Sequence, residues 1–120
     1  MQQLLHAGTE IDAVFGFNDT LALGAMHVLL RAGRRVPDDV AVIGFDNIEE
    51  SKFAMPPLTS IDPGRAQIAH TAVELLAERI DGERPSERRE IYADFTLEVR
   101  DSTAGTAAIN PASTRWPLST

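Results

Sequence analysis

Two short apolar runs bracket one helical stretch. Residues 11–17 read IDAVFGF, residues 20–31 read TLALGAMHVLLR, and residues 40–45 read VAVIGF. The two runs are short, largely apolar and rich in β-branched and aromatic residues, so they read as strands buried on both faces. Strand, helix and strand in this spacing form a βαβ unit. Such units build parallel sheets through right-handed crossovers. The fold class expected is therefore α/β with a parallel sheet.

The rest of the chain extends that pattern. Residues 1–7 read as the tail of a helix closed by Gly8, so Met1 is expected to be an internal methionine, or a misplaced start, of a longer parent. Residues 48–55 suggest a short irregular helix stopped by Pro56-Pro57, and residues 58–61 a brief extended segment. Asp62-Pro63 is a helix-start signal, with Asp as cap and Pro at the first helical position. The helix it opens runs to about Ile80, with Ile68, Ala72, Val73, Leu76 and Ile80 on one face, and Asp81-Gly82 ends it. Residues 83–89 form a polar connector. Residues 90–100 (EIYADFTLEVR) read as a strand, at or near a sheet edge. Beyond Ser102 the sequence is rich in Ser, Thr, Ala and Pro without periodicity, and residues 104–120, with the lone Trp116, are expected to be a disordered tail.

The helix at 20–31 carries Leu21, Leu23, Met26, Val28, Leu29 and Leu30 around nearly its whole circumference. A helix lying on one sheet needs a single apolar stripe. Either a second face is covered, for instance by a partner subunit, or this is a generously apolar surface helix.

Chemistry is narrowed mainly by exclusion. With 18 acidic against 11 basic residues the net charge is −7, which repels a phosphate backbone. There are no cysteines, hence no disulfide, thiolate metal site or cysteine nucleophile. His6, His27 and His70 lack metal-ligand spacing, and neither common glycine-rich phosphate loop is present. No apolar run is long enough to span a bilayer, and the start does not read as a secretory signal. No cofactor, metal or membrane partner is expected, and an enzyme is not.

What remains is a pair of polar turns, Asn18-Asp19 after the first strand and Asp46-Asn47 after the second. If the strands are parallel neighbours, both turns lie at the carboxyl edge of the sheet, where α/β proteins place their ligand crevice. Amide and carboxylate groups suit the hydroxyls of a sugar, each of which donates and accepts. The alternative is that Asn18 and Asp19 merely cap a helix while Asp46 and Asn47 merely make a turn.

Four segments in series decide between more specific readings. They are Asp12-Ala13-Val14-Phe15-Gly16-Phe17-Asn18-Asp19, Ala22-Leu23-Gly24-Ala25, the stretch VPDDVAVIGFDN at 36–47, and Pro56-Pro57-Leu58-Thr59-Ser60-Ile61. Their order and spacing resemble the second half of the effector domain of the lactose-repressor (LacI/GalR) family, and Leu97-Glu98-Val99-Arg100-Asp101-Ser102 resembles its closing strand.

The resemblance implies a three-layer, type I periplasmic-binding-protein-like fold, present in part and mainly as the C-terminal subdomain. Residues 1–103 would be the C-terminal portion of the sugar-effector domain. It further implies a sugar-like effector held by Asn18, with its neighbour Asp19, by Asp46 and by Arg65. An arginine at the last position departs from the aromatic of some members, so an acidic or phosphorylated sugar becomes conceivable. Leu23, His27 and Phe53 match the family's homodimer face. Operator DNA would be reached only through a helix-turn-helix head absent from this chain, in a cytoplasmic transcription regulator. The alternatives are a fragment of the sugar-binding protein of an ABC uptake system, and a sugar-processing enzyme using Asp19 and Asp46. In the family the helix from about 63 to 80 packs on the other subdomain, so here its apolar face is expected to lack a cover.

Overall fold

The computed structural model describes residues 1–82 and 88–105 and the backbone of Thr114–Arg115. Its elements run α1 (Gln2–His6), β1 (Ala13–Phe15), α2 (Asp19–Arg31), β2 (Ala41–Phe45), α3 (Glu49–Phe53), β3 (Thr59–Asp62), α4 (Arg65–Ile80), β4 (Thr96–Glu98), α5 (Asp101–Ala104) and β5 (Thr114–Arg115). The strands lie in chain order in one sheet. β1, β2 and β3 are mutually parallel, while β4 runs antiparallel to β3 and to β5. The expected βαβ unit is thus present, continued into a third parallel strand.

Alternation along β2 explains the core. Val42 and Gly44 are buried, whereas Ala41, Ile43 and Phe45 are half-buried. Successive strand residues point to opposite faces, so Val42 and Gly44 look toward α2. Helix α2 returns Ala22, Met26 and Leu29 to that face, where they meet Val40, Val42 and Leu58. Met1, Leu5 and Ile11 extend the same cluster, so α1 lies beside α2.

Several expectations need correction. The strand at 11–17 is not buried on both faces: β1 is an edge strand of three residues with Ala13 and Phe15 exposed. Phe17, 84% exposed, stacks edge-on against Phe15 at 5.9 Å between centroids. Apolar sequence marks a strand made to be covered, and among the described residues only the α2 side is covered. The strand expected over 90–100 shrinks to Thr96–Glu98. Its partner β3 offers only the pairs Ser60–Glu98, Ile61–Leu97 and Asp62–Thr96 before Pro63 ends the ladder. Helix α4 begins two residues later than the Asp-Pro signal predicts. Asp62 stays at the end of β3, where its Oδ1 accepts from Gly64 N, and Gly64 at φ 75° is the residue before the helix. The tail expected over 104–120 falls largely outside the described residues, as does Trp116; Thr114–Arg115 pairs with β4.

Helix α4 contains no buried residue, and Val73, Leu76 and Ile80 are 68, 59 and 75% exposed. Its apolar face is uncovered among the described residues, as expected. None of the described helices is long and apolar enough to cross a membrane.

Candidate functional site

Parallel register brings the polar turns to one place. Phe15 pairs with Ile43, so Asn18 and Asp46 each lie three residues beyond a paired position on adjacent strands. Phe45 pairs with Ile61, which sets Asp62 beside Asp46. All three strand ends therefore open onto the same carboxyl edge, where the sequence places the crevice.

Asn18 has two functional ends there. Its Oδ1 accepts from Leu21 N at 2.8 Å and caps α2. Its amide nitrogen has no partner among the described residues. The cap and the ligand readings thus use different atoms and are compatible.

Asp46 and Asn47 form a left-handed turn, with φ 104° and 50°. Asparagine tolerates that region, but an aspartate at 104° needs support from its surroundings. Three successive amides supply it. Asp46 N donates to Ile61 O at 2.9 Å, Asn47 N to Ser60 Oγ at 3.0 Å, and Ile48 N to Asp19 Oδ2 at 2.9 Å. The half-buried Asp46 carboxylate makes no hydrogen bond of its own among the described residues. Asn47 is instead fully engaged: its Nδ2 donates to Asp62 Oδ2 at 3.0 Å, and its Oδ1 accepts from Arg100 Nη2 at 2.6 Å. Arg100 also donates through Nη1 to Leu58 O at 2.7 Å. Arg65, exposed at the start of α4, donates to Asn47 O at 3.0 Å. It lines a shallow concavity with Asp62, Gly64, Gln67, Asp94 and Thr96.

Asp19 departs from its expected role. It is fully buried, and its carboxylate accepts from Ile48 N, from Ser51 Oγ at 2.7 Å and from Ser60 Oγ at 2.6 Å. It faces the protein interior, not the crevice. Gly44 is the reason it fits: a Cβ at Gly44 would run into Asp19 Oδ1 and come within 3.1 Å of Leu58 Cδ2. With one carboxylate inside and saturated, Asp19 and Asp46 cannot flank a substrate as an acid–base pair. No cluster of three metal-ligating side chains occurs among the described residues.

Ser60, Asp62 and Arg100 were not singled out from sequence as site residues, and Asn47 only as the second member of a polar turn. Ser60 and Asp62 leave a signal, two polar residues within a short strand that follows a βαβ unit. Arg100 leaves none, since its bond to Asn47 spans 53 positions.

The Asp62 carboxyl is held below the usual carboxylate range, first by the hydrogen bond from Asn47, then by the Gly64 amide and the Arg65 charge, against the opposing effect of burial. A lowered folded pKa means that the stability it contributes is complete above the unfolded value near ~4 and is lost as pH falls through the folded value. The thermal midpoint is accordingly expected to drop on acidification below about pH 4, with Asp62→Asn flattening that limb of the profile. An unchanged limb would remove Asp62 from the account.

The residues expected at a dimer face lie together on one side. Leu23 of α2 and Phe53 of α3, the latter 78% exposed, border an open depression with Glu49, Glu50 and Ala54. His27, one helical turn beyond Leu23, is exposed and lines a neighbouring hollow with His6, Arg31 and Arg34.

Comparison with known proteins adds the following. Residues 2–103 match the family described as the periplasmic binding protein-like domain. The HTH-type transcriptional repressor PurR of Pasteurella multocida is 42% identical over 102 residues, covering 85% of this chain and 30% of the repressor. The HTH-type transcriptional regulator CelR of Thermobifida fusca is 38% identical with the same coverage. The chain thus spans about 30% of the length of these relatives. Among solved structures, a putative transcriptional regulator of LacI family from Sanguibacter keddieii superposes with a TM-score of 0.81 at 45% identity, over 86% of this chain and 38% of that one. The transcriptional regulator CelR–cellobiose complex gives 0.78 at 38% identity, over 84% and 31%. The lac repressor dimer bound to operator and an anti-inducer gives 0.77 at 32% identity, over 84% and 35%.

Proposed function

Since this chain belongs to the periplasmic binding protein-like family, as part of the effector-binding domain of a LacI/GalR-type regulator, we propose that it supplies one wall of a sugar-like effector site and a homodimer face in a cytoplasmic transcription regulator. The observation that carries this reading is the Asp46 carboxylate, without a protein partner among the described residues and set in a left-handed turn beside Asn18 at the carboxyl edge. A carboxylate held so, next to a free amide donor, is suited to a hydroxylated ligand. A neighbour of the same fold is a cellobiose complex, which supports a carbohydrate. Arg65, beside Asn47 O, would add a positive charge to the same wall, which extends the class to acidic or phosphorylated sugars. Operator DNA would be bound by a separate head, since a chain with a net charge of −7 repels a phosphate backbone. The relatives are transcription repressors and regulators, which favours neither an uptake protein nor an enzyme.

The test uses the full-length protein and a thermal-shift panel of cellobiose, other neutral sugars and sugar phosphates. At least one member is expected to raise the midpoint, and Asp46→Ala to weaken that response by about tenfold to a hundredfold, as befits a lost charge-assisted hydrogen bond. A response that survives Asp46→Ala at full strength, or no response to any member, overturns the assignment.

For the dimer face, the exposed apolar side of α2 and α3 is the support, and a dimer occurs in the lac repressor neighbour. Leu23→Glu would bury a charge in that contact, which costs several kcal/mol and is expected to halve the sedimentation mass. An unchanged mass would exclude Leu23 from the interface.

A further inference from the structure

We infer that Asp19 is the positioning residue of the effector turn: its buried carboxylate holds Asp46 and Asn47 in the left-handed backbone that presents Asp46 to the crevice. The inference rests on the role given to Asp46 above and extends it to a residue that touches no ligand.

The geometry traces two of the three turn amides back to this one side chain. Ile48 N donates directly to Asp19 Oδ2. Asn47 N donates to Ser60 Oγ, whose own proton goes to Asp19 Oδ1 at 2.6 Å. Ser51 Oγ completes the set from α3. The carboxylate therefore ties the ends of β1, β2 and β3 at a single buried point. It makes no capping hydrogen bond in its own helix, where Asn18 is the cap.

Only a short carboxylate meets these demands. Each oxygen must accept, and an asparagine offers one accepting oxygen. With its amide turned toward Ser60, the hydroxyl would accept from two donors and its own proton would lose its acceptor. Turned the other way, the amide would confront Ile48 N–H and the Ser51 hydroxyl. Glutamate would overrun the space, since the carboxylate already lies against Gly44.

The experiment is amide hydrogen exchange on the full-length protein, read over residues 46–48 against the rest of the sheet. Asp19→Asn is expected to raise exchange in that segment by about tenfold more than elsewhere. Met26→Ala, a loss of packing in the same core, serves as the comparison and is expected to raise exchange evenly. Ser60→Ala, a milder change, is expected to expose the Asn47 amide while Ile48 stays protected. Asp19→Asn should also weaken the response to the sugar panel, although Asp19 lies outside the crevice. An even rise in Asp19→Asn that matches Met26→Ala, or unaltered protection at Asn47 in Ser60→Ala, overturns the proposal. Asp46→Ala separates the two claims: it is expected to leave exchange at 47–48 as in the wild type, so a failed ligand assignment would not disturb the exchange result.

Discussion

Gly44→Ala is expected to destabilise the protein by about 3 kcal/mol, an effect at the upper end for overpacking. The added methyl would meet the Asp19 carboxylate head-on, and Leu58 Cδ2 and Asp19 Cα are each 3.1 Å from its position. None of these neighbours is free to yield. Leu58 is fully buried, and the carboxylate is fixed by three donors from two other segments. A strand glycine with ordinary backbone angles is thus required for room, not for conformation. Denaturant unfolding of the full-length protein measures the loss. Shortening the obstacle with Asp19→Ser should make the double variant less unstable than the sum of the two single changes, a coupling of about 1 kcal/mol or more. Strict additivity would mean that the methyl and the carboxylate do not meet.

Ser102→Ala should cost about 2–4 kcal/mol, since it strips partners from two buried backbone groups at once. Ser102 is fully buried in α5. Its hydroxyl accepts from Thr59 N at 2.8 Å and donates to Val42 O at 2.6 Å, so one side chain bridges β2 and β3 at the start of the ladder between them. The neighbouring Thr103→Ala, whose Oγ1 meets Thr59 Oγ1 at 2.6 Å in a half-buried position, should cost only about 1 kcal/mol. Equal losses for the two variants would deny Ser102 its bridging role.

How much of this was legible follows from the range of each interaction. The βαβ unit was readable because the lengths of the apolar runs and the cap at Asn18 are local properties. The meeting of Asn18 and Asp46 followed from parallel pairing alone. Burial of β1 was not readable, because an apolar strand declares what it needs and not what this stretch of chain provides. Asp19 misled for a related reason: an acidic residue in a first helical turn has the same sequence signature whether it faces ligand or interior. Only the glycine at 44, in a strand otherwise made of larger apolar residues, hinted at something lying against it. Asp62 misled because a helix-start signal cannot register a competing bond from Asn47, fifteen positions earlier.

Helix α4 stands apart from this cooperative unit. It has 16 residues, near the length at which a helix without tertiary support is marginal in water, and it buries none of them. Its first turn is tied to the body through Arg65, which donates to Asn47 O, and through Gln67, which accepts from Asp94 N, and its last turn meets the following segment through Glu78, 3.6 Å from Arg89. An element laid over Ile68, Val73, Leu76 and Ile80 would therefore brace a helix whose first residue touches the Asp46–Asn47 turn, without entering the α2 core.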